Sequence, residues 1–284
     1  MPEHGRASEG YTVRGASRAS LSGAKEGLAA ALAGATAAQA SDVGEELFAV
    51  AGLLDREPGL RRALTNPARD GAARAGLAEG LLADKISATA VAQVAGLASG
   101  RWSRPGDIAD AAEQLAVLAV AQSADMRGEL DELEDQLFRF SRIVAATPGL
   151  RAALANRFIP AERRANLVAA LLTGKVTDAA LRLITQAAAQ PRGRSLDLGL
   201  ATFANLAAEL RQRLVAEVHV AVPLTQAQRS RLAAAMVAAY GHEVHLNVVL
   251  DPQVVGGMSV RIGDDLINGT VASRLAELRR DLAA

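Results

Sequence analysis

Cysteine is absent from the chain, and aromatic residues are few: one Trp, two Tyr and five Phe among 284 residues. Without cysteine there can be no disulfide, no thiol nucleophile and no thiolate metal site. The scarcity of aromatics, beside an apolar content dominated by Ala and Leu, argues for helices over strands. No run of eighteen or more apolar residues free of charge occurs, so no segment has the sequence of a membrane-spanning helix. The opening MPEHGRASEGYTVRGASRAS lacks the apolar core of a signal peptide and reads as a frayed polar tail over 1–20. The expectation is a cytoplasmic protein, either free or docked on a membrane complex. An excess of one charge is missing too, with 31 basic residues against 31 acidic ones and a similar balance along the chain. A phosphate backbone demands a basic surplus, so the composition argues against nucleic-acid binding.

Chemistry-bearing patterns are equally scarce. Of the four histidines, His242 and His245 stand three apart in an expected strand and would face opposite sides, which disfavours a metal site. His219 falls in another expected strand, at an exposed or edge position. Neither GxxxxGK[ST] nor GxGxxG is present, and Ser22, Ser195 and Ser259 lack a GxSxG context. Asp131, Glu134 and Asp135 lie on a helix with no sign of a pocket, so paired-carboxylate catalysis has no support. The expectation is a protein with no catalytic, cofactor-binding or metal-binding residues.

What is present is a repeat. PGLRRAL at 58–64 returns as PGLRAAL at 148–154, and without a gap 17 of 51 positions over 58–108 are identical. Asn66/Asn156, Arg74/Arg164, Lys85/Lys175, Arg104/Arg194 and Asp107/Asp197 are matches that alanine bias does not explain. Each copy is expected to be a bundle of short helices, since one amphipathic helix cannot bury its own apolar face. A long helix is expected from about Ala111 to Ala146, with Met126, Leu130, Leu133, Leu137, Phe140 and Val144 on one stripe. Its opposite, acidic face reads as solvated, with a partner helix on part of the stripe as the alternative. Further helices are expected from Pro160, over 177–189 and over 196–213, with Pro191-Arg192-Gly193 as punctuation.

The pattern changes near Val215. Strands are expected at 215–222, 242–250, 258–262 and around Leu266-Ile267. A helix capped by Thr225 lies between the first two, and a last helix starts near Thr270. The fold class is thus a duplicated α-helical bundle followed by a small α/β domain. The expected segments are a flexible tail at 1–20, helical copies at 21–110 and 111–213, and the α/β domain at 214–284.

The stretch LNVVLDPQVVGGMSVRIGDDLINGTVASRLAELRRDL, residues 246–282, resembles the signature region of the F-type ATP synthase delta subunit family. The mitochondrial counterpart is the oligomycin-sensitivity-conferring protein. The residues carrying the resemblance are Asp251, Pro252, Gly256, Gly257, Arg261, Gly263, Asp264, Gly269, Arg274 and Leu275, and AVPLTQAQRSRLAAAM at 221–236 also matches. Residues 112–210 look like the family's N-terminal helical domain. The chain is about 100 residues longer than the usual form, and the excess corresponds to the duplicate, as in elongated actinobacterial forms. The family often has a basic residue just after the Gly-Ser or Gly-Thr that opens the last helix, and Val271-Ala272-Ser273 supplies none here before Arg274.

The resemblance implies a non-catalytic peripheral-stalk subunit on the cytoplasmic side of the membrane. Its implied partners are the N-terminal segments of the alpha subunits, the F1 head and the C-terminal region of subunit b. No cofactor, nucleic acid or small-molecule substrate is implied. A helical interaction module outside the synthase and a hydrolase are the competing classes.

Overall fold

The computed structural model describes residues 15–213, 215–221, 224–225, 228, 230–232, 235, 245–250, 258–262 and 265–268. Two compact units divide the chain, 1–207 and 208–284.

The first unit is helical. Its elements are α1 (Ala16–Leu32), α2 (Ala37–Arg56), α3 (Pro58–Thr65), α4 (Gly71–Leu82), α5 (Ala88–Ser99) and α6 (Asp107–Asp125). They are followed by α7 (Leu130–Ala146), α8 (Pro148–Ala155), α9 (Ala161–Leu172), α10 (Asp178–Ala189) and α11 (Leu196–Arg213). Local chemistry sets many of these starts. Thr36 and Gln39 exchange capping bonds at α2. Asp70, Ser87 and Thr177 accept the third backbone N–H of α4, α5 and α10. Pro58 and Pro148 occupy the first turn of α3 and α8, where the missing N–H costs nothing.

The repeat is visible down to single hydrogen bonds. Helices α3, α4 and α5 recur ninety residues later as α8, α9 and α10 with identical limits. Lys85 Nζ donates to the Leu81 carbonyl, and Lys175 Nζ to that of Leu171. The N–H and hydroxyl of Ser87 are held by Glu46, and those of Thr177 by Gln136. Arg74 and Arg164 each reach back to the end of the following helix, at Ser99 and Ala189. The helical section is therefore duplicated.

Helix α6 belongs to both copies. It lies ninety residues after α1 and ninety before α11, so it closes the first bundle and opens the second. From Asp107 to Ala124 every residue but Asp110 is buried, as expected of a helix apolar on all sides. The expected division after residue 110 therefore falls inside this helix. Its small residues let α2 approach closely. A side chain at Gly44 would meet Val120 Cγ2 at 2.6 Å and the Ala116 carbonyl oxygen at 3.1 Å.

Two sequence expectations need correction. The helix expected over 111–146 is two helices, because α6 stops in a Schellman turn. Gly128 takes φ 71°, its N–H donates to Asp125 O at 2.8 Å, and the Glu129 N–H donates to Ala124 O at 2.8 Å. Met126 thus sits in the turn, while Leu130, Leu133, Leu137, Phe140 and Val144 form the buried face of α7. The alternative of a partner helix on that stripe fails, since its own core fills it. The tail expected up to residue 20 also overlaps α1. α1 begins at Ala16 because buried Ser17 donates to Asp107 Oδ2 at 2.8 Å and accepts from the Ser103 N–H.

The second unit contains a four-stranded sheet of β1 (Val215–Val220), β2 (His245–Leu250), β3 (Met258–Ile262) and β4 (Asp265–Asn268), in the order β2-β1-β3-β4. β1 runs parallel to β2 and antiparallel to β3, and β3 runs antiparallel to β4. Register places Val248, Val218, Val260 and Ile267 in one row across the four strands. Val218, Val220 and Val260 form a buried cluster against Leu224, Leu232, Val248 and Met258. Thr225 and Gln228 exchange capping bonds, and the described residues from 228 to 235 are helical, in line with the expected cap. His219 is not at an edge: β1 is an inner strand and His219 is half-buried. The expected last helix lies outside the described residues.

Candidate functional site

Among the described residues no group of His, Cys, Asp and Glu could hold a metal ion, and no helix is long and apolar enough to cross a membrane. Among the described residues, the densest set of charged contacts is an ion cluster where the two helical copies meet. The α10–α11 connection supplies it from one side: Arg192 at φ 49° and Gly193 at φ 81° turn the chain through two left-handed residues. A non-glycine residue there costs on the order of 1 kcal/mol or more. The turn aims two guanidiniums at the first copy.

Arg192 meets Asp55 of α2 at 2.5 Å, and Asp110 and Glu113 of α6 at 2.9 and 2.8 Å. Arg194 closes on the other oxygen of Glu113 at 2.5 Å. The Glu113 side chain is 0% exposed, so both carboxylate oxygens depend on these bonds. Burial works against the Arg192 charge, but the hydrogen bond to Asp55 and the attraction of Glu113 and Asp110 outweigh it. Its guanidinium is held above the ordinary arginine range. At Asp110 the balance goes the other way: burial pushes its carboxyl up, and the attraction of Arg192 only partly offsets this. The cluster fixes two helical layers to each other.

Two arginines at equivalent places show how the copies have diverged. Arg74 donates to the carbonyls of Asn66, Arg69, Ala98, Ser99 and Gly100. Arg164 is equally buried, yet it donates to Ala189 alone and its Nε and Nη1 have no partner. Likewise Arg104 pairs with Asp107 within its own copy, whereas its counterpart Arg194 crosses to Glu113.

Of the residues expected from the sequence to mark the family motif, Arg261 is described. It lies on β3, with Glu217 of β1 and Leu266 of β4 as register partners. Asp251, Pro252, Gly256, Gly257, Gly263, Asp264, Gly269, Arg274 and Leu275 lie outside the described residues. Sequence reading did not single out Asp55, Asp110, Glu113, Arg192 or Arg194 as a cluster. The signal was one glutamate inside the apolar run of α6, DIADAAEQLAVLAVAQSAD, whose partners lie 79 and 81 residues away.

The family model described as ATP synthase delta (OSCP) subunit matches residues 116–282, from within α6 through the sheet. The ATP synthase subunit delta of Streptomyces avermitilis is 46% identical over 273 residues, covering 96% of this chain and 100% of the relative. That of Thermobifida fusca is 48% identical over 247 residues, covering 87% and 91%. These alignments extend over most of the first helical copy as well. A chain from the Toxoplasma gondii mitochondrial ATP synthase hexamer shows 16% identity over 59% of this chain and 95% of its own, with a TM-score of 0.31 too low to argue from. With its family model matched over more than half its length and near-full-length relatives at this identity, the chain belongs to the ATP synthase delta (OSCP) subunit family.

Proposed function

We propose that this chain is the delta subunit of an F1Fo ATP synthase, a non-catalytic stalk component that holds the catalytic head to subunit b against rotor torque. The observation that carries this reading is the identity of 46% with an ATP synthase subunit delta across 96% of the chain. The geometry supports it. A tether under load needs stiff bodies and broad surfaces rather than perturbed acids and bases, and here the strongest ion cluster bolts one helical layer to the next. In this reading the protein sits peripherally on the cytoplasmic side of the membrane.

The finer assignment follows the family match, which begins at residue 116. Residues 111–213 serve as the bundle that grips the alpha-subunit N-terminal segments, and 214–284 meets the C-terminal region of subunit b. Residues 21–110 are an added bundle along subunit b or beside the head. The motif residues from Asp251 to Leu275 act structurally, in shaping the small α/β domain. Recovery of the complex from detergent-solubilised membranes tests the main claim: alpha and b should co-purify with this chain, and their absence while the synthase stays intact would overturn it. Residue-resolved crosslinking tests the finer one. Crosslinks placing 21–110 on the alpha N termini, with 111–213 free, would reverse the assignment of the copies.

A further inference from the structure

The first copy holds a cavity of about 200 Å³ between α2, α3, α4 and α5. Its floor is apolar and buried: Val50, Leu54, Leu64, Ala78 and Val94 are each 4% exposed or less. Leu53 and Leu60 are half-buried and Leu81 is 42% exposed, so these three form an apolar rim at the surface. Among the described residues of the lining, Lys85 alone carries a charge. It is exposed, and its Nζ donates to the Leu81 carbonyl at 3.2 Å.

The duplication shows where the space comes from. Ninety residues on, the places of Val50, Ala78 and Val94 are taken by Phe140, Val168 and Ile184, larger by four, two and one carbon atoms. Only Leu54, with Val144 as its equivalent, is larger in the first copy, by one. The bulkier set packs well in the same frame of helices: Phe140 is 3% exposed, and Val168 and Ile184 are 0%. The mouth is alike in both copies, with Leu60/Leu150, Leu81/Leu171 and Lys85/Lys175, and Lys175 bonds to the Leu171 carbonyl as Lys85 does to that of Leu81. Unfilled apolar space destabilises a fold in step with its volume. The first copy therefore keeps open a void that ordinary side chains close in the second.

We propose that this cavity is a binding site for a medium-chain monocarboxylate, an inference that does not depend on the synthase reading. The hydrocarbon chain enters between Leu53, Leu60 and Leu81 and lies on the buried floor. The carboxylate stays at the mouth on Lys85 Nζ, which exchanges its bond to the Leu81 carbonyl for one to the ligand. Size sets the length of the chain. Apolar cavities of ~150 Å³ take up a benzene-sized molecule, so this one suits a body of about six to eight carbons. A polar body is excluded, because the floor offers it no hydrogen-bond partner. The buried chain supplies most of the affinity, about fourfold per methylene. The exposed ion pair adds little and sets the orientation.

Titration calorimetry of the full chain with octanoate, butanoate and octanol tests this. Octanoate is expected to bind one to one, at least about tenfold more tightly than butanoate. A variant with Val50→Phe, Leu54→Val, Ala78→Val and Val94→Ile installs the packing of the second copy. It should keep or raise the thermal midpoint and lose octanoate binding. Leu81→Asp changes only the exposed rim, so it keeps the fold whatever the filled variant does. By placing a carboxylate at the mouth it should weaken octanoate at least about tenfold. Lys85→Gln should weaken octanoate relative to octanol by about two- to fivefold. Absence of saturable octanoate binding to the parent would overturn the proposal. So would parental affinity in the folded filled variant or in Leu81→Asp, or an unchanged ratio of octanoate to octanol in Lys85→Gln.

Discussion

Glu113 sits in the middle of an apolar helix, and two guanidiniums converge on its two oxygens. Removing one partner of a buried pair leaves the others charged and desolvated. Glu113→Ala is therefore expected to lower unfolding free energy by about 3–5 kcal/mol, measured by denaturant titration; a loss under 1 kcal/mol would show that the cluster is not strained by vacancy. Asp110 behaves differently. Its carboxyl is raised from the ordinary 3.8, burial being the main cause. A raised folded-state value means that its contribution to stability is fully present below the unfolded value and is lost as pH rises through the folded one. Asp110→Asn, which keeps the shape and an acceptor for Arg192, should gain on the parent as pH rises from the unfolded value through the folded one and hold that gain above it. Thermal midpoints of the two proteins across a pH series give the sign, and a difference that shrinks with rising pH contradicts it. Arg74 and Arg164 make an internal control, being matched in place but not in bonding. Arg74→Ala strips partners from five carbonyls and should cost about 2–4 kcal/mol, whereas Arg164→Ala should cost clearly less.

At the scale of elements, most helix limits followed from local signals. The helix expected over 196–213 is α11, and the strand expected over 258–262 is β3. Proline at a first turn, a threonine or serine cap and a glycine after the last turn act within a few residues, so they can be read without the fold. The break at Gly128 was missed because the apolar period runs on through the turn, with Met126 and Leu130 still in step. Spacing alone does not register a left-handed glycine. Gly44 shows the opposite case. Nothing in its neighbourhood marks it as special, yet α2 and α6 pack too closely there for any side chain. Gly44→Val should destabilise by about 1–3 kcal/mol through overpacking, despite the better helix propensity of valine over glycine. Equilibrium unfolding decides, and a gain in stability would mean that the helices can part at no cost.

Across the whole molecule, sharing α6 makes the two helical copies one body rather than beads on a string. They should then unfold together. The single tryptophan, Trp102, lies in the first copy, where its indole N–H donates to Leu97 O at 2.8 Å. Leu183 is fully buried in the second copy. Leu183→Ala should therefore move the transition seen by Trp102 fluorescence as far as that seen by helical circular dichroism. A shift in the second signal alone would indicate independent copies. For a stator this coupling matters, since torque applied at one copy reaches the other without a flexible joint.

The sequence by itself determined the helical class, the duplication, the small α/β end and the family. Each rests on periodicity, end signals or an ordered motif, which are properties of residues close together in the chain. Only the tertiary structure decided that one helix serves both copies, that Glu113 is the keystone of a buried cluster, and that Phe48 is buried while Phe138 is exposed. Those facts depend on which faces meet across long separations in the chain, 79 residues for Arg192 and Glu113. Phe48 and Phe138, at equivalent places in the two copies, end in different surroundings because one copy has a successor and the other does not, and no local pattern encodes that difference.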